Sequence, residues 1–223
     1  MKGCVFPFRS LARVAQPAVS RFEVGLPPDA FVFGAFVQIQ KLSARLLAVW
    51  SELFRRLPRA RLAFSPLSAA AAPAYERILD ANGIDPAHAL FIPQGGNEAR
   101  NQARYLHVDA VLDTFPYSGT NGTLEALSQG VPVVTLEGAR ACERSTLTIL
   151  ANAGLPELVA PTPEAYVELA VRLATDAAFM KAMRTAIETR LPSSVLADSV
   201  AHVRYLEDAY REALSISGVK VAV

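Results

Sequence analysis

From residue 30 onward, short apolar runs alternate with stretches of helical periodicity. Phe31 to Val37 is aromatic and β-branched without polar alternation, the pattern of a strand buried on both faces. Ser43 to Leu57 places Leu46, Leu47, Trp50, Leu53 and Phe54 on one helical face, and Pro58 ends it. Arg61 to Ser65 predicts a second strand, and Ala72 to Asn82 a helix closed by Gly83. Ala89 to Ile92 predicts a third strand, followed by a helix over Asn97 to His107 with Asn97 as its cap. Ala110 to Asp113 is the fourth strand, and the loop Thr114 to Thr120 leads into a short helix, Gly122 to Gln129, stopped by Gly130. Val131 to Leu136 is the fifth strand, with Pro132 confined to its first residues or to a protected edge. A helix over Ala141 to Ala153, a brief strand over Glu157 to Ala160, and helices near 163–174, 177–190 and 196–215 complete the pattern.

Strand–helix alternation with short connections predicts an α/β fold, a Rossmann-like parallel sheet flanked by helices, with further helices at the C-terminus. Such sheets bind ligands beyond the carboxyl ends of their strands, near a topological switch point. The loops after strands are therefore where chemistry is expected. Pro7, Pro17, Gly25, Pro27 and Pro28 punctuate residues 1–29, which read as an irregular segment; 30–216 form the folded domain and 217–223 a tail.

Composition narrows the partners. The 223 residues are 52% hydrophobic and 19% charged, which excludes a disordered chain. The formal net charge is +1, so no global field attracts DNA, RNA or an anionic membrane, and any anionic ligand must be held by a local site. Neither a nucleic acid nor a membrane is expected as a partner. Cys4 and Cys142 form no metal-binding or disulfide spacing, so no metal is expected and a reducing cytoplasm is the simplest setting. Pro7, Arg9 and Arg13 break any apolar run at the start, which does not read as a signal peptide.

Three loops offer chemistry. In the first, Val37-Gln38-Ile39-Gln40-Lys41, a lysine sits near a helix N-terminus, where the lysine and the unpaired N–H groups both favour phosphate. Lys41 is either such a ligand or a solvated surface lysine. The patterns GxxxxGK[ST] and GxGxxG are absent from this loop, which removes support for ATPase and dehydrogenase readings. In the second, Pro93 to Glu98, Gly95 and Gly96 let backbone approach a flat ligand, and Arg104 follows in the next helix; a plain turn with a helix cap accounts for it equally well. The third, Asp113 to Glu125, is a small-residue turn running into a helix. The N–H groups of Gly119 to Thr123 suit a pyrophosphate, and Glu125, about one turn inside, suits two vicinal hydroxyls. The plainer account has Thr120 or Asn121 capping the helix and Glu125 supporting its dipole.

The run Leu112 to Leu136, LDTFPYSGTNGTLEALSQGVPVVTL, resembles the signature of the protein O-linked N-acetylglucosamine transferases and of their relatives, the bacterial adhesin N-glucosyltransferases. Leu155 to Ala160, Glu164 to Val167, Ala170 to Ala174 and Phe33 to Leu42 continue the likeness, which covers roughly 30–215. The resemblance implies one lobe of a GT-B fold, the C-terminal lobe that holds a UDP-sugar, and a transfer of N-acetylglucosamine or glucose to a protein or peptide acceptor. It implies that Gln38 and Lys41 contact the diphosphate, with Lys41 stabilising the leaving group as the catalytic residue. It further implies that Arg104 and the Gly96 backbone read the uracil, that Gly119, Thr120, Asn121, Gly122 and Thr123 form the phosphate loop, and that Glu125 holds the ribose. No cofactor or metal is implied. Asn101 stands where the family usually places a histidine on the uracil, and Glu98 where the animal enzymes carry a lysine. The Thr-Asn-Gly of 120–122 is closer to the N-glucosyltransferases than to the Thr-Thr pair of the other branch. The N-terminal lobe that would face this one is expected to be supplied separately, and residues 1–29 resemble a remnant of the interlobe connection. The rival reading is a non-catalytic nucleotide-binding or interaction module.

Elsewhere, His107 reads as a packing residue, Arg144 as a support for its helix or a cleft residue, and Arg204, Glu207, Asp208 and Arg211 as a solvated helix face.

Overall fold

The computed structural model describes residues 14, 20–65, 68–92 and 97–217. Six parallel strands, β1 (Val32–Gly34), β2 (Arg61–Phe64), β3 (Ala89–Phe91), β4 (Ala110–Leu112), β5 (Val133–Leu136) and β6 (Val159–Ala160), lie in the order β3-β2-β1-β4-β5-β6. The central strands β1, β4 and β5 are buried throughout, which is why they carry continuous apolar runs instead of alternation. Phe33 pairs with Leu62 on one side and Ala110 on the other, and Gly34 lets Val108 pack against the backbone, its methyls lying 3.2 and 3.3 Å from where a Cβ would stand.

The helices are α1 (Ala44–Arg56), α2 (Ala72–Asp80), α3 (Glu98–Ala103), α4 (Asn121–Ser128), α5 (Ser145–Asn152), α6 (Pro163–Thr175), α7 (Ala177–Arg190) and α8 (Ser199–Ser217). In α1 the predicted face is the buried one: Leu46, Leu47, Trp50, Leu53 and Phe54. Ser43 caps it, accepting from Leu46 N–H at 3.2 Å. α1 packs on α6, where Trp50 Nε1 donates to Tyr166 Oη at 3.4 Å and that hydroxyl donates to the Asp113 carbonyl at 2.9 Å. Buried Trp50 and Tyr166 thus fix the end of β4 from below.

Two predicted helices are shorter than their periodicity suggests. The stretch 97–107 is α helix only to Ala103, and Arg104–His107 tightens into a 3₁₀ turn. The stretch from Ala141 starts with a 3₁₀ turn over Ala141–Glu143, and α5 begins at Ser145. Pro132 precedes β5 and costs it no ladder bond. Among the described residues no helix is long and apolar enough to cross a membrane.

Candidate functional site

The chain steps outward from β1 to β3, then returns to place β4 on the other side of β1. That reversal is the switch point, where the loops after β1 and β4 emerge side by side at the carboxyl end of the sheet. The loop after β1 is pinned by Tyr75, whose hydroxyl donates to the Val37 carbonyl at 3.0 Å, and by Ser43, whose hydroxyl donates to the Phe115 carbonyl at 2.9 Å.

Lys41 ends a 3₁₀ turn over Ile39–Lys41 in this loop. Its Nζ donates to the Ser118 carbonyl at 3.3 Å, so the first and third loops meet at the lysine. Partial burial pulls its pKa down, and the negative charge of Asp113 opposes that shift.

Asp113 organises the third loop from beneath. Its carboxylate accepts the Gly119 N–H at 2.7 Å and the Thr135 hydroxyl at 2.7 Å. Complete burial pushes its pKa up against those hydrogen bonds. Thr146 donates to the Gly119 carbonyl at 3.0 Å and shares a 2.8 Å hydrogen bond with Thr123. Ser118 Oγ accepts the Ser145 N–H at 3.0 Å. The loop is thereby fixed before α4 begins. Thr120 occupies the N-cap position of α4, but its side chain makes no capping bond, contrary to the plainer expectation. The first-turn N–H groups of Asn121, Gly122 and Thr123 thus have no cap from it and no intrahelical acceptor.

Glu125 sits one turn further on, its side chain 21% exposed. Its Oε2 accepts from Tyr105 Oη at 2.8 Å and from Arg104 Nη2 at 3.2 Å. Arg104 is buried, with its guanidinium 4.8 Å from the Phe36 ring centre and its Nε unpartnered among the described residues. It lines a cleft of about 480 Å³ together with Phe36, Gln38, Ser65, Ser68 and Tyr75. Burial raises the Tyr105 pKa, keeping the hydroxyl a donor.

Gln38, Lys41, Arg104, Gly119, Thr120, Asn121, Gly122, Thr123 and Glu125 thus gather at one end of the sheet; the Gly119 N–H, expected for a phosphate, is instead spent on Asp113 and shapes the loop from within. Gly96 lies outside the described residues. Tyr105 joins this candidate site through its bond to Glu125, and periodicity hides it, because an aromatic on a helical face reads as core. His107 is buried as expected; burial and Arg21 lower its pKa, and its carbonyl accepts from Arg21 Nε. Arg144 donates to the Gly138 carbonyl at 2.7 Å and so braces the turn before α5. Among the described residues no three His, Cys, Asp or Glu side chains converge as a metal set.

A profile of glycosyl transferase family 41 matches residues 13–206. The chain belongs to glycosyl transferase family 41. It is 31% identical over 182 residues to "Probable UDP-N-acetylglucosamine--peptide N-acetylglucosaminyltransferase SPINDLY" of Petunia hybrida, covering 80% of this chain and 20% of that protein. It is 30% identical over 189 residues to the UDP-N-acetylglucosamine–peptide N-acetylglucosaminyltransferase of Caenorhabditis elegans, covering 85% of this chain and 16% of that one. A solved mutant of Thermobaculum terrenum O-GlcNAc transferase superposes with a TM-score of 0.74 at 34% identity, over 83% of this chain and 38% of that one. The chain therefore spans about a fifth of the length of these curated relatives. In fold alone it also matches the C-terminal domain of a glycosyl transferase group 1 protein from Francisella tularensis, with a TM-score of 0.53 over 96% of that chain. The family 41 domain is a GT-B-like lobe, and its switch point is where Lys41 meets the loop after β4.

Proposed function

We propose that this family 41 domain is the donor-binding lobe of a UDP-sugar-dependent protein glycosyltransferase, handing N-acetylglucosamine or glucose to a protein or peptide side chain. The observation that carries this reading is the meeting of Lys41 with the loop that presents the uncapped N-terminus of α4. A cation beside a helix start whose N-cap side chain makes no capping bond suits a pyrophosphate. Beside them the cleft lined by Arg104 takes the base, Gln38 joins Lys41 at the diphosphate, and Glu125 takes the ribose.

In the transfer, the bond between the sugar's anomeric carbon and the diphosphate oxygen breaks while the acceptor atom bonds to that carbon and gives up its proton to the departing diphosphate or to water. Charge develops on the departing β-phosphate. Lys41 and the α4 amides are fixed before reaction, so they stabilise this charge without reorganising. The acceptor is held by a separate N-terminal lobe. The exposed thiol of Cys142, without a disulfide among the described residues, fits a reducing cytoplasm as the setting.

Calorimetry with UDP and UMP tests the reading. UDP should bind more tightly, and Lys41→Ala should cost UDP about 1–3 kcal/mol while sparing UMP. Equal affinity of the wild-type chain for the two nucleotides would overturn the assignment.

A further inference from the structure

One exposed aromatic ring stands where the loops after β1 and β4 meet. Tyr117 is 60% exposed, although its neighbours Asp113, Thr114, Phe115 and Ser118 are all buried. A phenol ring left in water forgoes the stabilisation its burial would give, yet the backbone that presents it is held firmly. Thr114 Oγ1 donates to the Tyr117 carbonyl at 2.7 Å. Ser118 N–H and Oγ both donate to the Cys142 carbonyl at 3.1 Å. The ring so presented lies under Lys41, whose Nζ is 4.5 Å from the ring centre. The same ammonium reaches the carbonyl of the next residue, Ser118.

We propose that Tyr117 is the positioning residue for Lys41, its ring holding the ammonium beside the phosphate loop before the donor arrives. This rests on the donor-binding reading of Lys41. A lysine side chain has long, flexible reach and loses rotamer freedom when it engages a ligand. Docked on Tyr117, Lys41 has surrendered that freedom on folding, so a diphosphate meets a cation already in place. The negative face of the ring attracts the ammonium without consuming any of its protons. The Ser118 carbonyl accepts one proton, and the others remain for phosphate oxygens. The attraction at so exposed a ring is weaker than a charge-assisted bond to phosphate, so the ring aims the lysine without retaining it. The ring face does this, not the hydroxyl.

The test titrates UDP and UMP into the chain and its variants. Tyr117→Phe should keep the wild-type ratio of UDP to UMP affinity. Tyr117→Leu should weaken UDP about two- to tenfold and leave UMP unchanged. In a Lys41→Ala background, Tyr117→Leu should have no further effect, as a double-mutant cycle requires of a residue acting through the lysine. Three outcomes would overturn the inference: a leucine variant with the wild-type ratio, equal losses for both nucleotides, or an undiminished effect in the Lys41→Ala background. A phenylalanine variant as weak as the leucine one would move the role to the hydroxyl and also refute it. A wild-type chain that does not prefer UDP would remove the donor-binding reading, an outcome separate from these.

Discussion

Glu125 is the fifth residue of α4, past the first-turn amides that a carboxylate stabilises through the helix dipole. Its company argues for another use. Tyr105 and Arg104 both donate to Oε2, while Oε1 carries no bond among the described residues. A carboxylate anchored at one oxygen presents the other in a fixed direction, which suits a hydroxyl pair on a ribose. Glu125→Ala should cost UDP about 1.5–3 kcal/mol, the range for a charge-assisted hydrogen bond. It should weaken 2′-deoxy-UDP or 3′-deoxy-UDP much less, measured by calorimetry with all three nucleotides. Parallel losses accompanied by a lower melting temperature would leave Glu125 a helix residue. At this scale the sequence was uneven as a guide. Lys41, Arg104 and Glu125 are charged residues in or close after loops that follow strands, where an unexplained charge shows. Tyr105 binds Glu125 across 20 residues, and that contact exists only once the fold has brought the 3₁₀ turn after α3 against α4.

Among the elements, the helices were legible because burial of one face leaves a period in the sequence, as Leu46, Trp50 and Leu53 show in α1. Their ends were less so, because tertiary bonds set them. The turn at Arg104–His107 tightens where the His107 carbonyl is taken by Arg21, a partner 86 residues away. Thr120 had the right identity to cap α4 and does not do so, which leaves the helix start open. The loop ahead of it depends on Gly119 for space. A Cβ there would stand 2.9 Å from Thr123 Oγ1 and 3.2 Å from Asp113 Oδ1, so the two groups that fix the loop would have to move. Gly122 differs, since its Cβ would meet only Tyr105 Oη, at 3.7 Å. Gly119→Ala should therefore destabilise the fold by about 1–3 kcal/mol, the usual cost of overpacking. Gly122→Ala should hold or raise stability, because alanine is the better helix former by about 1 kcal/mol. Chemical denaturation of both variants checks this, and equal effects would show that the crowding at Gly119 relaxes freely.

For the whole molecule, alternation of strands and helices announced parallel strands but not their order. The order β3-β2-β1-β4-β5-β6 depends on which side of β1 the returning strand takes, and no local pattern records that choice. Yet this choice places Lys41 against Ser118 and joins two loops 77 residues apart. The same architecture limits what this span does alone. The groups proposed for a nucleotide diphosphate lie at the carboxyl end of the central strands, and the chain covers 38% of the solved Thermobaculum terrenum enzyme. Transfer also demands an acceptor held in line with the anomeric carbon, and such positioning supplies about 7–11 kcal/mol of barrier reduction. In the proposed division of labour this lobe binds the donor and a facing lobe holds the acceptor. The purified 223-residue chain is expected to bind UDP and to give peptide glycosylation no faster than the background, followed by mass spectrometry of an acceptor peptide with UDP-N-acetylglucosamine or UDP-glucose. Donor binding without turnover would agree with a lobe that needs its partner. Sugar transfer by the chain unaided would show that the acceptor is held by this lobe, and the division of labour proposed for the two lobes would have to be abandoned.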